Sequence, residues 1–417
     1  MPMPSCGKRY IRRQSRPWCK IRVLFPPNKS ETQTKWNNKG KQKTSYVNVN
    51  GRTEIERTIY YSEGCRVAPV DKFLGIDEGL YSPGVREMCC REAANTSFVS
   101  SSNNLERLAQ IKLSSSTIRN IAQNQGQKIG LQQSKGEVKA DFTFSDCIDN
   151  TVITGADGVM IPLVTEEQKR KRRETEKAKR IEEGRQSTAS KGRPKKGSDG
   201  AYKESKVVIF YSKDKKHQYA VSTCGNHEKL GSIMRREGFR IGIDKATSKY
   251  SITDGANWIK KRYNIQLPML DVNILDYFHL KEHVKEAGNI LYGESTPESI
   301  SWREDIMSVA WNQGSLVMLD KLGELLKKLR SPAKKRTLDS LRKYVGSRID
   351  MTDYPTFRAN GYDCGSGPTE SSCGCLTKRI KGSGMRWDMN NAQAMMNLES
   401  IHFSGQWDKY WAKERSA

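Results

Sequence analysis

Three acids stand where local structure gives them little reason to be. Asp157 lies in "ITGADGVMIP" and Asp254 in "SITDGANWI", each followed at once by glycine. Both fall in segments that read as strands, where propensity disfavours an acid. An Asx-turn accounts for one Asp-Gly pair taken alone, but two such pairs in one sheet ask for a joint explanation. The ends of their two strands can lie side by side. A hard Mg²⁺ ion takes a few carboxylates, substrate phosphates and water. Glu370 in "GSGPTESSC" could supply a third carboxylate. It is the single acid between Gly365 and Trp387, a stretch otherwise reduced to small residues and followed by Lys378, Arg379, Lys381 and Arg386 beside Trp387. Pro368 marks a helix start, where the helix dipole favours any acid. That dipole does not explain the small surroundings, which suit a site approached by a nucleic-acid backbone.

The elements that must position these acids read as a mixed α/β sheet. "NTVITGADGVMIPLV", "SKVVIFYS" and "HQYAVSTC" are strand-like runs. An amphipathic "HEKLGSIMRREGF" follows, then a fourth strand in "KYSITDGANWIKKRY" and a strand-helix unit in "PMLDVNILDYFHLKEHVKEAGNIL". Mixed strand and strand-helix order of this kind describes an α/β sheet. Residues 286–361 carry apolar residues at spacings of three and four, and so read as helical throughout. Residues 165–206 hold fifteen Lys or Arg against eight acids without apolar periodicity, the mark of a solvated arm or partial helix.

Upstream, Ser82 and Ser114–Ser116 are plausible caps of two helices within 76–135. The second bears Arg119, Asn120 and Gln123 on its polar side. A helix-turn-helix reader and an ordinary helical bundle both fit these two helices. Residues 1–75 form a basic arm, with twelve Lys or Arg and one acid, Glu31, in the first 50 residues. Cys6, Cys19 and Cys65 raise zinc, yet the arm has no Cys-x-x-Cys pair, which disfavours it.

A net charge of +25 in 417 residues points to a polyanionic partner, and the length to two or three domains. No apolar run approaches the ~18 residues that span a bilayer, so no membrane is expected. The opening residues lack a secretory stretch, and ten cysteines are expected as reduced thiols in a cytoplasm. His279 and His283 share a helix face in "LDYFHLKEHV". Leu280, not Glu, follows His279, so the metalloprotease pattern is absent and a structural or DNA-positioning role is favoured over zinc. Cys364, Cys373 and Cys375 read as buried small residues. Trp302 is core by default, though it could stack on an unpaired base, and Arg386 with Trp387 combines a phosphate ligand with an aromatic platform.

In combination, "GADGVMIPL", "SITDGANWI", "LDYFHLKEHV", "GSGPTESSC" and "GSGMRW…A…GQWDKYW" resemble the ISKra family of bacterial insertion-sequence transposases. "SPGVRE" and "SSSTIRN" extend the resemblance, which runs from about Pro69 to the C-terminus. The resemblance implies a ribonuclease-H-like core with a DDE active site, related to mutator-like transposases. It implies that Asp157, Asp254 and Glu370 are the catalytic triad on two Mg²⁺ ions, for which Mn²⁺ would substitute. Asp276 and His279 would be the supporting Asp-x-x-His element, and the helical stretch before Glu370 an insertion domain. The core would then comprise residues 136–285 and 362–417, interrupted by 286–361. The implied partners are double-stranded terminal inverted repeats and target DNA, with Arg119, Trp302, Lys378, Arg379, Lys381, Arg386 and Trp387 as candidate contacts. Synapsis of two ends implies at least a homodimer, working in a bacterial cytoplasm near the nucleoid. Two other readings are a transposase-derived DNA-binding or regulatory protein without cleavage, and a structure-specific nuclease on the same fold.

Overall fold

The first described elements form around an alternating run at Asn50-Gly51: β1 (Asn37–Asn48) turns into β2 (Gly51–Ser62), and β3 (Cys65–Val67) adds to it, all antiparallel. The computed structural model describes residues 36–62, 64–185 and 196–416. Cys6 and Cys19 lie outside those residues, while Cys65 is exposed in β3. Within the stretch expected as a basic arm, the sheet buries apolar side chains. Tyr46, Val47 and Ile59 are buried, because period-2 alternation around a hairpin turn forms a sheet face despite the basic composition.

The chain divides into two units, one of residues up to 125 together with 407–417, the other of 126–406. In the first, α1 (Pro69–Phe73), α2 (Pro83–Asn95), α3 (Phe98–Ala109) and the start of α4 (Ser115–Lys135) follow the small sheet. Ser82 caps α2 as expected, its side chain accepting the Val85 N–H. Where the sequence suggested two helices, there are three. The intervening α3 is rich in Ser and Asn, which weakens its helical signal, yet Ser97 caps it and Leu105 anchors it. The last helix, α15 (Trp407–Ser416), groups here rather than with residues 362–406. Its Trp407, Tyr410 and Trp411 are buried, and Gln125 Nε2 donates to Tyr410 Oη at 2.7 Å. The boundary expected at 135 therefore falls inside α4.

The second unit is a mixed α/β body, as its strand pattern foretold. β4 (Thr151–Pro162) leads into α5 (Glu166–Glu182), then β5 (Tyr202–Ser212), β6 (Gln218–Thr223), α6 (His227–Ile241), β7 (Ser248–Thr253), α7 (Asn257–Gln266) and β8 (Val272–Leu275). The five strands are ordered β6-β5-β4-β7-β8, with β4, β5 and β6 antiparallel and β4, β7 and β8 parallel. The charged run after Thr165 is a 17-residue helix, started by a capping box in which Thr165 and Gln168 bond reciprocally. Downstream of β8 come α8 (Tyr277–Tyr292), α9 (Pro297–Asn312), α10 (Ser315–Lys328), α11 (Pro332–Gly346) and α12 (Tyr354–Ala359). The chain then returns through α13 (Gly367–Lys378) and α14 (Met389–Phe403).

One sheet face packs against α6 and α7 through Val152, Ala156, Val208, Phe210, Met234, Ile259 and Tyr263, a single apolar core. The other face receives α13 and α14. Because strand side chains alternate, Ala156 points into the first core while Gly155 and Asp157 face α13. No helix among the described residues is long and apolar enough to cross a membrane.

Candidate active site

Asp157 sits on the central strand β4, directly opposite Val207 of β5. On its other side β4 runs parallel to β7, paired as far as Thr154 with Ser251. Asp157 and Asp254 each lie three residues beyond that last pair, so matched register carries the two acids out together. Both are half-buried. The carboxyl of Asp157 lies above its ordinary value, chiefly because burial penalises the anion. The Gly158 N–H, donating to its Oδ1 at 2.5 Å, and the Cys373 thiol pull the other way, while the nearby Asp254 and Glu204 charges add to the rise.

Asp254 ends its strand in a tight turn, its Oδ1 accepting the Ala256 N–H at 2.9 Å. Gly255 has φ +73, and a Cβ there would meet Leu275 Cδ1 at 2.6 Å and Arg348 Nε at 2.9 Å, so this turn needs glycine. Arg348 Nε donates to the Gly255 carbonyl at 2.8 Å, and Tyr344 Oη to the Asp254 carbonyl at 3.3 Å. Burial pushes the Tyr344 hydroxyl up to about 12, so it stays a donor at neutral pH. The His283 ring rests on Tyr344 at 4.0 Å, and His279 meets His283 edge to face at 5.0 Å. Burial lowers the His283 imidazole, helped by the His279 charge, so its neutral form is favoured.

Glu370 is exposed on α13, whose start lies one residue earlier than Pro368 suggests. The helix is seated by two devices. First, Thr369 abuts Gly155 so closely that a Cβ at 155 would fall 1.9 Å from Thr369 Oγ1. That oxygen is buried and has no hydrogen-bond partner among the described residues. Second, the Cys373 thiol lies beside Asp157, and burial with the adjoining Asp157 charge pushes this thiol up. Glu370 and Cys373 are three apart on one helix, so the exposed acid shares a face with the group beside Asp157.

Asp276 adds a third tie. It is buried, caps α8 by accepting from Phe278 N at 2.6 Å and His279 N at 3.4 Å, and its own N–H donates to Thr253 O at 2.8 Å. Its Oδ2 also accepts from both the Ser366 N–H, at 3.0 Å, and the Ser366 hydroxyl. Ser366 Oγ lies 3.4 Å from Glu370 Oε1. Asp276 therefore links the residue after β8 to the segment that delivers Glu370. Ser366 carried no signal in the sequence. Cys373 carried one, the spacing of three from Glu370.

Among the described residues no group of three His, Cys, Asp or Glu side chains converges tightly enough to hold a metal as placed. The donor chemistry nevertheless fits a hard divalent cation. Asp157 and Asp254 are coupled oxygen donors, and a cation would relieve the penalty on the Asp157 anion. Of the flanking cations, Lys378, Lys381 and Arg386 are exposed. Arg379 and Trp387 are buried instead, the guanidinium lying 5.1 Å over the indole, whose Nε1 donates to the Ile380 carbonyl at 3.1 Å. Both pack at the C-terminal end of α13. Trp302 is half-buried against Tyr292, with ring centroids 5.9 Å apart, and Arg119 is exposed on α4 in the first unit.

This site and fold define a mixed α/β protein with one carboxylate on, and one just after, two adjacent inner strands. Residues 28–219 match the model of an uncharacterised protein family, UPF0236, a span that includes Asp157 and stops short of Asp254 and Glu370. No curated protein matches the chain. Among solved structures, the Drosophila P element transposase strand transfer complex is similar at a TM-score of 0.37 and 11% identity, over 78% of this chain and 92% of that one.

Proposed function

We propose that this chain is a DNA transposase with a ribonuclease-H-like core, in which Asp157, Asp254 and Glu370 form the catalytic triad. The observation that supports the reading is the placement of Asp157 on β4 and Asp254 just after β7, each three residues beyond the last pair of these parallel strands, with Cys373 of the Glu370 helix beside Asp157. The strand order β6-β5-β4-β7-β8, antiparallel then parallel, supports such a core. The helical stretch 286–361, between β8 and α13, would be the insertion domain.

Asp157 and Asp254 would hold Mg²⁺ or Mn²⁺ from the sheet edge, and Glu370 would close the site from α13. When bound there, such a pair of ions supplies activation of a water or 3′-hydroxyl and charge stabilisation at the phosphate. The protein's own part is to hold three carboxylates on a rigid sheet and helix, and to orient the backbone phosphates. Exposed Lys378, Lys381 and Arg386 would take those phosphates, and no covalent protein nucleophile is needed. Arg119 and the helices of the first unit would contribute end recognition, and synapsis of two ends would require a dimer.

The test uses DNA from both flanks of the gene, where terminal inverted repeats are expected. Glu370→Gln, Asp157→Asn and Asp254→Asn should each lower Mg²⁺-dependent strand cleavage by about 100-fold or more, with end binding changed by less than about twofold. Glu370 is the discriminating member. As a mere helix N-terminal acid, its loss would cost only about 0.3–1 kcal/mol of stability and leave cleavage intact. Cleavage at the wild-type rate by Glu370→Gln would remove it from the triad.

A further inference from the structure

The helix α5, inserted between β4 and β5, is polar all round and has no buried residue. A helix that buries nothing must be held by its own side chains. Lys171 pairs with Glu167, Arg170 with Glu174 and Arg180 with Glu176, each one turn apart, and the Thr165 capping box closes the N-terminus. Its root is fixed to the core. Val164 N donates to Trp387 O and Glu166 N to Ser198 O, both at 2.9 Å. Lys169 Nζ reaches Asp388 Oδ1 at 2.5 Å and Lys196 O at 2.9 Å. At 1.5 Å per residue, the 17 residues beyond that root are about 25 Å long.

The charges of this helix are sided. At helical spacing Lys169, Arg170, Arg173, Lys177 and Arg180 fall within about 100° of its circumference. Glu166 is the one acid of α5 in that arc, and it is taken up at the helix start by the Gly197 N–H and Arg173. Glu167, Glu174, Glu176 and Glu182 lie outside it. The helix dipole explains acids in the first turn and cations in the last, but it does not choose a side. Lys177 is exposed and has no ion pair among the described residues. Because Lys169 touches Asp388, the arc turns toward the segment after α13, where Lys381 and Arg386 are exposed.

We propose that this arc is a rail for the backbone of duplex DNA, with Arg170, Arg173, Lys177 and Arg180 neutralising phosphates of a double helix that also meets Lys381 and Arg386. The choice of DNA as the polyanion rests on the DNA-processing reading above. From Lys169 to Arg180 the arc is about 16 Å long, and a duplex offers one charge per ~1.7 Å of its axis, so phosphates outnumber the cations facing them. Contact of this kind is with the backbone and carries no sequence information. The pairs along α5 order the helix beforehand, so little ordering is left for binding to supply.

The experiment measures affinity of the full chain for a fluorescein-labelled duplex of random sequence, in EDTA and over a range of KCl concentrations. It is therefore independent of the triad assignment. Two triple variants are compared: Arg173→Gln, Lys177→Gln and Arg180→Gln on the arc, and Lys171→Gln, Arg172→Gln and Lys179→Gln off it. Each removes three cations from a helix with no buried residue, and Gln keeps the helix propensity, so both should unfold at the wild-type urea midpoint. In the arc variant the slope of log affinity against log salt should fall by about 2–3, with binding at low salt weaker by about tenfold or more. The off-arc variant should stay within about threefold of wild type. Equal losses in the two variants, or a wild-type slope in the arc variant, would overturn the rail and leave the DNA-processing reading standing. A wild-type chain that does not bind the duplex would overturn both.

Discussion

Gly155→Ala is the perturbation that reads most directly on how the Glu370 helix is seated. The new methyl would lie 1.9 Å from Thr369 Oγ1, 3.0 Å from Thr369 Cβ and 3.1 Å from the Ile252 carbonyl. Thr369 is buried, so its hydroxyl has nowhere to swing and α13 must lift from β4. Overpacking of this kind costs about 1–3 kcal/mol, only partly offset by the ~0.4–1 kcal/mol that Ala removes from unfolded-chain entropy. Thr369→Ala alone should be close to neutral. It removes an unpartnered buried hydroxyl, worth about 1–3 kcal/mol when left unmade, and gives up a methyl worth about 0.8 kcal/mol. In the double variant the 1.9 Å conflict disappears, leaving the Cβ at position 369, 3.0 Å away, and the Ile252 carbonyl, 3.1 Å away, as tight neighbours. The two changes should therefore couple favourably by about 1–2 kcal/mol. Urea midpoints of the four proteins give that coupling, and rates of the proposed strand cleavage should follow the same order, because lifting α13 carries Glu370 away from the sheet. Simple additivity of the two stability changes would refute the reasoning.

Three further outcomes follow from particular groups. Burial pushes Glu399 up to about 7 against an ordinary 4.5, with Lys378 and Arg379 pulling the other way. Between those values the folded chain keeps a proton that the unfolded chain has released, so stability falls as pH rises through the window. A gap of that size corresponds to about 3 kcal/mol, and Glu399→Gln should abolish the fall in urea titrations from pH 5 to pH 8. Ser366→Ala deprives buried Asp276 of one charge-assisted hydrogen bond and should cost about 1.5–3 kcal/mol by thermal or urea unfolding. It should also slow cleavage, where a role confined to stability would leave the rate of the folded protein unchanged. Deleting residues 1–130 should abolish discrimination between terminal-repeat and random duplex in a competition assay, and full-length binding should weaken steeply with salt as counterions are released.

The sheet was legible because its strands are apolar runs with clear turn punctuation, and the position of Asp254 between strand and helix follows from the same pattern. That the first and fourth strands adjoin was visible as a possibility, and their pairing supplies the register that sets Asp157 beside Asp254. Charge obscured two regions. The basic composition before Gly75 hid a hairpin whose alternation and Asn-Gly turn were present, and the charged run after Thr165 left a solvated arm and the capped helix equally open. The burial of Arg379 and Trp387 was not legible, since an Arg near a Trp reads equally as a DNA platform or as a packed pair. What no local pattern can reveal is a contact such as Ser366 with Asp276, made across ninety positions by two unremarkable polar residues.

That contact bears on how the helical region relates to the site. The chain leaves the sheet after Asp276, runs through α8 to α12, and returns at Ser366 just before α13. One buried carboxylate accepts from both ends of this excursion: the first N–H groups of α8 and the backbone and hydroxyl of Ser366. Tyr344 and Arg348 of the same region hold the carbonyls of Asp254 and Gly255. A displacement of α8 or α11 therefore reaches two of the three proposed catalytic acids through hydrogen bonds alone, Glu370 by way of Ser366 and Asp254 through its backbone. Asp157, fixed on the central strand, is reached only through Cys373 on α13. The three acids are thus unequal. The pair on the sheet is set by register, and the exposed Glu370 is set by a helix whose seat depends on one glycine, one thiol and one serine.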